Sequence, residues 1–377
     1  MEDEGAYANI ALPAVLERSD HDERDRALIT DLVYGTVRMR RACDFLVRRF
    51  LVEDPPPAAM RALLLGCYQL AYRDDVPAYA AVSSTVGAAP KRYRGLVNAV
   101  LRKVAAAPVE FPDPATELSY PDWILERLVA DHGREPAIRA LGSMNEPART
   151  HRRPDGYVQD LASQWVVEIL HGLLREGPSG SAGRVVELCA APGGKSTALA
   201  GSGHWVAALD KGASRVELLR SNLERLACAD VAPVRADAAA VPFAPAVAGG
   251  VLVDAPCSGL GVLRRLADAR WRVDPDAPER LSRLQRSILD EAIGLVEPGG
   301  ILAYSVCTLT ASETTGVDSH LASLHPELEP LQPPGPPWEP WGRGAILMPD
   351  AVGTDGMALF TYRRVGGGSG TGAAGHR

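Results

Sequence analysis

Apolar residues recur at helical spacing through the first third of the chain. Between Arg26 and Leu51 they fall at Leu28, Leu32, Val33, Val37, Phe45, Leu46 and Phe50, which predicts helix. Pro55-Pro56-Pro57 breaks that run, and a second helix is expected over Ala58–Tyr72. After the turn Asp74–Pro77, helices are expected at Ala80–Ala88 and Tyr93–Ala105; past Pro108–Pro114, another at Pro121–His132. Several helices with short connections predict an all-α bundle over residues 1–141.

From about Val158 the pattern changes. Short β-branched runs alternate with amphipathic stretches, the signature of a parallel sheet flanked by helices. Strands are expected at Arg184–Leu188, His204–Leu209, Val231–Arg235, Gly250–Val253 and Ile301–Ser305. Helices are expected after Lys195, at Ala213–Leu226 and at Leu281–Leu295. In an open α/β sheet, ligands bind outside the carboxyl ends of the strands. Cys189–Lys195, Asp210, Asp237, Asp254-Ala255-Pro256-Cys257 and Cys307 are therefore expected along one sheet edge.

Composition narrows the function. The 377 residues are 46% hydrophobic with a net charge of −7, so bulk charge gives no reason to expect a nucleic-acid partner. No apolar run reaches the ~18 residues that span a bilayer. The acidic start Met1-Glu2-Asp3-Glu4 has no basic or apolar leader pattern, so a cytoplasmic protein is expected. Six cysteines, none in a C-x-x-C pair, argue against a zinc ribbon and predict free thiols and no metal.

The loop after the first strand is Cys189-Ala190-Ala191-Pro192-Gly193-Gly194-Lys195-Ser196. Gly194-Lys195-Ser196 matches the end of a P-loop, but Cys189 stands where its first glycine belongs, and G-x-G-x-x-G is also missing. Small residues still let the backbone approach a ligand closely. Asp210 suits the two hydroxyls of a ribose, and Asp237 an adenine amino group. A nucleoside without phosphates fits, and S-adenosylmethionine is the expected cofactor. Two thiols, Cys257 and Cys307, at neighbouring strand ends beside a methyl donor imply one chemistry. Carbon 5 of a pyrimidine is a poor nucleophile until a thiolate adds at carbon 6 and pushes electron density onto it. Spacing alone leaves open which cysteine attacks.

Leu188–Lys195, Asp254-Ala255-Pro256-Cys257-Ser258-Gly259 and Tyr304-Ser305-Val306-Cys307 resemble the signature loops of the RNA cytosine-5 methyltransferases, the Sun/NOL/NOP group. The N-terminal part resembles the NusB-type domain of the bacterial RsmB subgroup at Asp31–Arg38, Val76–Val82 and Val97–Lys103. Gly353-Thr354-Asp355-Gly356-Met357 resembles the family's final hairpin. The resemblance implies a Rossmann-like class I methyltransferase domain over 158–365, preceded by the NusB-like domain over 1–141 and a linker over 142–157; the residues 366–377 are themselves expected to form a disordered tail. It implies that Cys189, Ala190, Ala191, Pro192, Gly193, Gly194 and Lys195 hold the cofactor with Asp210, Arg215, Asp237 and Asp254. It further implies Cys307 as the carbon-6 nucleophile, Cys257 assisting product release, and Asp254 and Lys195 in the catalytic set. The implied partner is RNA, small-subunit ribosomal RNA by default.

Two departures stand out. Val306-Cys307-Thr308 replaces the family's Thr-Cys-Ser. Between the helical domain and Gln159-Asp160-Leu161-Ala162-Ser163-Gln164, family members carry an RNA-recognition-like subdomain; here only the thirteen residues Asn145–Tyr157 fill that gap, too few for a core. This admits a second reading, the same fold and cofactor with a different acceptor: another RNA, or a small molecule or peptide of specialised metabolism. A third reading, a non-catalytic RNA- or protein-binding relative, conflicts with the retained cysteines and cofactor loop.

Three basic stretches remain. Arg38, Arg40, Arg41, Arg48 and Arg49 form one, and Lys91, Arg92, Arg94, Arg102 and Lys103 another. Arg264, Arg265, Arg270 and Arg272 follow the Cys257 loop. Each is either a solvated helix face or a phosphate-contacting surface. Pro330–Pro340, with Trp338 and nearby Trp341, reads as an extended surface loop that either skirts the site or serves as a linker, the linker being the favoured expectation.

Overall fold

The computed structural model describes residues 7–176 and 183–366. The chain divides into two units: residues 1–147 with 263–273, and residues 148–262 with 274–377. Among the described residues no helix is long and apolar enough to cross a membrane. The tail expected over 366–377 lies, from residue 367 on, outside the described residues.

The first unit is helical. Its helices are α1 (Ala8–Glu17), α2 (Glu23–Arg38), α3 (Arg40–Arg48), α4 (Pro57–Tyr72), α5 (Ala78–Ala88), α6 (Arg94–Ala106), α7 (Pro114–Glu117), α8 (Asp122–His132) and α9 (Arg134–Ser143). The periodic run expected from Arg26 to Leu51 is two helices, broken at Met39. Asp22 caps α2 by accepting from the Asp25 N–H, and proline opens α4, where a missing N–H costs nothing. Cys43, Leu46, Val47, Leu63, Cys67, Val97, Leu101 and their neighbours form the core.

Two sequence expectations are corrected in this unit. The methyltransferase domain is not the continuous span 158–365, because Leu263–Val273 groups with the helices. Two of that segment's arginines, Arg264 and Arg270, are buried and engaged, neither solvated nor free for phosphate, while Arg272 is exposed. Arg270 is fully buried over the Tyr120 ring (3.8 Å to its centroid) and donates to the Asn145 Oδ1 (2.8 Å) and the Ser119 carbonyl (3.2 Å). Arg264, also buried, donates to the carbonyl and hydroxyl of Ser143. Arg272 lies over the Tyr7 ring, and the Trp271 indole donates to the Val37 carbonyl at 2.8 Å. In the first basic stretch Arg38 is buried, while Arg40, Arg48 and Arg49 are exposed. Arg38 donates to the Arg264 carbonyl, Arg41 binds the Tyr120 carbonyl and Asp122, Arg48 pairs with Asp44 and Asp54, and Arg49 donates to the Pro108 carbonyl. Burial pushes the Arg270 guanidinium down to about 10, and it lowers Arg38 too. By contrast Lys91, Arg92, Arg102 and Lys103 are exposed.

The second unit is a mixed sheet with helices packed on it. Its strands are β1 (Arg184–Leu188), β2 (Trp205–Asp210), β3 (Val231–Arg235), β4 (Ala248–Asp254), β5 (Val296–Val306), β6 (Leu328–Pro330), β7 (Glu339–Trp341), β8 (Gly344–Leu347) and β9 (Met357–Arg364). The order is β3-β2-β1-β4-β5-β9-β8-β7, with β6 also on β9; β1 to β5 are parallel, and β9 runs antiparallel to β5. Its helices are α10 (Leu161–Arg175), α11 (Gly194–Gly201), α12 (Ala213–Arg225), α13 (Ala277–Leu295), α14 (Thr315–Leu324) and α15 (Pro349–Val352). The central strands are buried along nearly their whole length, which is why they read as continuous apolar runs. The parallel half is the sheet the alternation predicts, and the whole is the Rossmann-like architecture the family resemblance implies. The order reverses between β1 and β4, the switch point where such sheets open a crevice.

The expected linker Pro330–Pro340 is also corrected. Trp338 is 5% exposed and packs into the sheet's core, while Glu339–Trp341 forms an edge strand on β8. Proline density there marks extended chain, which an edge strand tolerates.

Candidate active site

Strand register brings the predicted residues together. Leu188 pairs with both Leu209 and Val253, Val253 with Tyr304, and Asp254 with Ser305. One row of residues thus ends β1, β2, β4 and β5 at the same height, and the loops that follow all leave from that edge.

The first loop is built for close approach. Gly193 takes φ +99° ahead of α11, and a Cβ there would stand 2.5 Å from the Leu219 side chain, so only glycine fits. Asp210, at the end of β2, is 5% exposed. Its carboxylate accepts from the Ala191 N–H (3.2 Å), the Gly212 N–H (3.1 Å) and Arg215 Nε (2.9 Å). Arg215 also donates to the Ala191 carbonyl at 2.7 Å, stitching loop to strand. Asp237 follows β3 and pairs with Lys211 at 2.6 Å, which holds its carboxyl below the ordinary range. Cys189 is half-buried, and burial with the nearby Asp210 and Asp254 charges pushes its thiol up to about 12. It is a packing thiol at neutral pH.

Lys195, at the start of α11, reaches Asp254 at the end of β4, with 2.7 Å between Nζ and Oδ2. Burial alone would lower the ammonium, but the Asp254 carboxylate outweighs it and the net shift is upward. The charge at Cys307 acts on Lys195 in the same sense.

The two sulfurs meet. Cys257 Sγ lies 3.3 Å from Cys307 Sγ, and both residues are half-buried. The contact with Cys307, then burial, then the Glu313 charge hold the Cys257 thiol well above its ordinary value. The loops are laced together: the Gly261 N–H donates to the Cys307 carbonyl (3.0 Å) and the Gly356 N–H to the Gly261 carbonyl (2.8 Å). A Cβ on Gly261 would sit 2.4 Å from the Gly356 oxygen, so any side chain there would force the backbones apart.

Sequence reasoning missed three residues. Glu187, inside β1, is buried, bonded to Ser196, and raised by burial to about 8. A glutamate in an apolar strand was the available signal. Arg153, in the gap treated as linker, is buried and donates to the Gly194 carbonyl, Gln159 Oε1 and Thr197 Oγ1, bracing the start of α11. The same gap holds only a turn and the single bridge Arg152–Val158, so no subdomain stands there. The third is Glu313, buried beneath the cysteine loops. Among the described residues no group of histidine, cysteine or acid side chains is arranged to hold a metal.

The donor set suits a nucleoside methyl donor: a small-residue loop, a buried acid for a diol, a second acid beyond it, and no phosphate cradle. Known proteins agree. Residues 179–359 match the family described as 16S rRNA methyltransferase RsmB/F, and residues 1–106 match the NusB family. The ribosomal RNA small subunit methyltransferase B of Thermus thermophilus is 35% identical, covering 96% of this chain and 95% of the relative. That of Pseudomonas putida is 32% identical over 379 aligned residues, yet these take in 83% of this chain and 84% of the relative. An alignment of that length over so little of a 377-residue chain means the relative carries segments this chain lacks. Among solved structures, PH0851 superposes with a TM-score of 0.72 at 21% identity over 93% of each chain, which shows the shared fold. A methyltransferase homologue from Pyrococcus horikoshii matches at TM-score 0.53 and 22% identity, over 68% of this chain and all of that one.

Proposed function

Since this chain belongs to the RsmB/F methyltransferase family, we propose that it transfers a methyl group from S-adenosylmethionine to carbon 5 of a cytosine in small-subunit ribosomal RNA, through a covalent adduct on Cys307. The observation that carries this reading is the 3.3 Å approach of the Cys257 and Cys307 sulfurs at adjacent strand ends. Methylation of an exocyclic nitrogen would need neither thiol.

S-adenosylmethionine supplies an electrophilic methyl group. The backbone of Cys189–Gly194 and the Lys195 end of α11 hold its methionine portion, Asp210 the ribose hydroxyls and Asp237 the adenine. Asp210 is held by Arg215, whose side chain is 56% exposed. Lys195 stabilises the Cys307 thiolate, which adds to carbon 6. Asp254, with Oδ2 on Lys195, has Oδ1 left to accept from the exocyclic amino group of the base and so orient it. Once carbon 5 is methylated, a base takes its proton, the freed C–H electron pair re-forms the ring double bond, and Cys307 leaves as thiolate with the C–S pair, assisted by Cys257.

The test is RNA containing 5-fluorocytosine, which has no carbon-5 proton to lose and so arrests the adduct. Wild-type protein should form a complex stable to denaturing gels, and Cys307→Ala should form none. Loss of that complex in Cys257→Ala, with retention in Cys307→Ala, would exchange the two roles. The thirteen-residue gap favours screening other acceptors alongside. Transfer of labelled methyl to a peptide or metabolite, with none to RNA, would replace the ribosomal reading.

A further inference from the structure

Beneath the two cysteine loops lies a carboxylate for which the proposed reaction has no assigned step. Glu313 sits in a short turn after β5 and is wholly buried. Oε1 accepts from the Ser258 N–H at 2.8 Å and from Gln285 Nε2 at 3.0 Å. Oε2 accepts from the hydroxyls of Ser258, Thr308 (3.1 Å) and Thr310 (2.9 Å). Ser258 follows Cys257 directly, and Thr308 follows Cys307. Their hydroxyls are 2.8 Å apart, and Gln285 also donates to the Pro256 carbonyl at 2.9 Å. One side chain therefore grips the residue after each cysteine and, through Gln285, the residue before Cys257.

We propose that Glu313 is a positioning residue of the two-thiol site: its carboxylate locks both cysteine loops in register and keeps Cys257 the protonated member of the pair while Cys307 serves as thiolate. This rests on the cytosine-5 reading only for the roles of the sulfurs; the geometry stands without it. Two sulfurs 3.3 Å apart cannot both carry charge without strong repulsion. The groups around them are unequal. On the Cys307 side stands the Lys195 ammonium, paired with Asp254. On the Cys257 side stand the buried Glu313 carboxylate and the neutral Tyr304 phenol, with Arg286 of α13 near Tyr304 and Glu313's own charge opposing ionisation of both. Tyr304 donates to the Glu313 carbonyl, which anchors the turn. A proton left on Cys257 can be shared with the Cys307 sulfur, whereas a second anion there would drive the two loops apart. A buried carboxylate with five donors is also costly to replace by anything that cannot accept them all.

The test is site-resolved alkylation. Full-length wild type, Glu313→Gln and Ser258→Ala are treated with iodoacetamide across pH 6–10, and labelling of Cys257 and Cys307 is read by peptide mass spectrometry. In Glu313→Gln the alkylation midpoint of Cys257 should fall by at least about one pH unit. Methyl transfer should drop about tenfold or more while affinity for S-adenosylmethionine stays within about twofold. Ser258→Ala keeps the charge and removes one grip, so its Cys257 midpoint should hold while transfer slows. An unmoved Cys257 midpoint in a folded Glu313→Gln overturns the proposal. Should that variant not fold, wild-type transfer by Ser258→Ala overturns it instead, since the loops would then not need the grip. The alkylation profiles need no RNA. If they behave as expected while 5-fluorocytosine traps nothing, the acceptor reading fails and the role of Glu313 survives.

Discussion

Two regions of this molecule treat charge in opposite ways. In the α/β unit, residues scattered from Cys189 to Cys307 in sequence assemble at one edge because the strands preceding them are in register. In the helical unit, arginines that are neighbours in sequence scatter: Arg38 turns inward, Arg41 and Arg48 find carboxylates, and Arg49 reaches a carbonyl. A parallel strand fixes where its last residue points. A helix offers every third or fourth residue to some surface, and only packing decides which surface is buried. Sequence proximity was therefore a poor guide to a shared surface in the helices, while strand-end position was a good guide to a shared site in the sheet.

The sheet side of this contrast is best tested at Lys195 and Asp254. Lys195→Met leaves a half-buried carboxylate without its cation and removes the ammonium proposed to stabilise the Cys307 thiolate. Methyl transfer should fall about 10³-fold, roughly 4 kcal/mol of lost transition-state stabilisation. Asp254→Asn should match it within about tenfold, measured as kcat/KM on RNA. A loss below about tenfold would mean that the pair braces the fold and leaves the chemistry to others.

The helical side is tested at Arg270. Its guanidinium is fully buried, with the Asn145 amide oxygen and backbone carbonyls as its acceptors, stacked on Tyr120. Arg270→Met fills similar volume but strands those acceptors, and it should destabilise the protein by about 2–4 kcal/mol in urea titration. Affinity for S-adenosylmethionine at low denaturant should be unchanged, because every residue proposed to hold it lies in the other unit. A neutral Arg270→Met with weakened RNA binding would return this arginine to the phosphate-contacting class.

These two cases also show how much of the protein was legible beforehand. The parallel strands, their boundaries to within a few residues, and the gathering of the two cysteines at one sheet edge were readable because burial on both faces and abrupt strand ends leave a local imprint. Arg264 and Arg270 were not, since nothing within Leu263–Val273 records that its packing partners lie before residue 148. Trp338 was misread for a similar reason, as proline-rich chain looks exposed until an aromatic residue within it finds the core. Arg153 and Glu313 hold the site from underneath, through contacts that only the tertiary fold creates.

Glu187 gives a smaller effect with a definite sign. Burial raises its carboxyl from 4.5 to about 8, so the folded state keeps a proton that the unfolded chain gives up near its ordinary value. Between those limits the folded state binds more protons, and stability therefore falls as pH rises from about 4.5 to about 8, then levels off. The slope cannot exceed about 1.4 kcal/mol per pH unit for one group. Glu187→Gln keeps a partner for Ser196 and should flatten that limb of the stability–pH curve in denaturant midpoints. A slope equal to that of wild type would place its source elsewhere.

The smallest expected effect on stability comes from the basic residues the helices leave outside. Arg102 and Lys103 are exposed on α6. Reversing both to glutamate should change stability by no more than about 0.5 kcal/mol, since neither position touches a core or a cap. Their consequence should appear in RNA binding instead. Each phosphate contact releases counterions, so the double variant should lower the slope of log affinity against log salt by about two, with affinity weakened alike for unrelated RNA sequences. An unchanged slope would make this stretch a solvated face. RNA would then have to be met by the other exposed arginines of the helical unit, such as Arg48 and Arg49, or by the sheet edge itself.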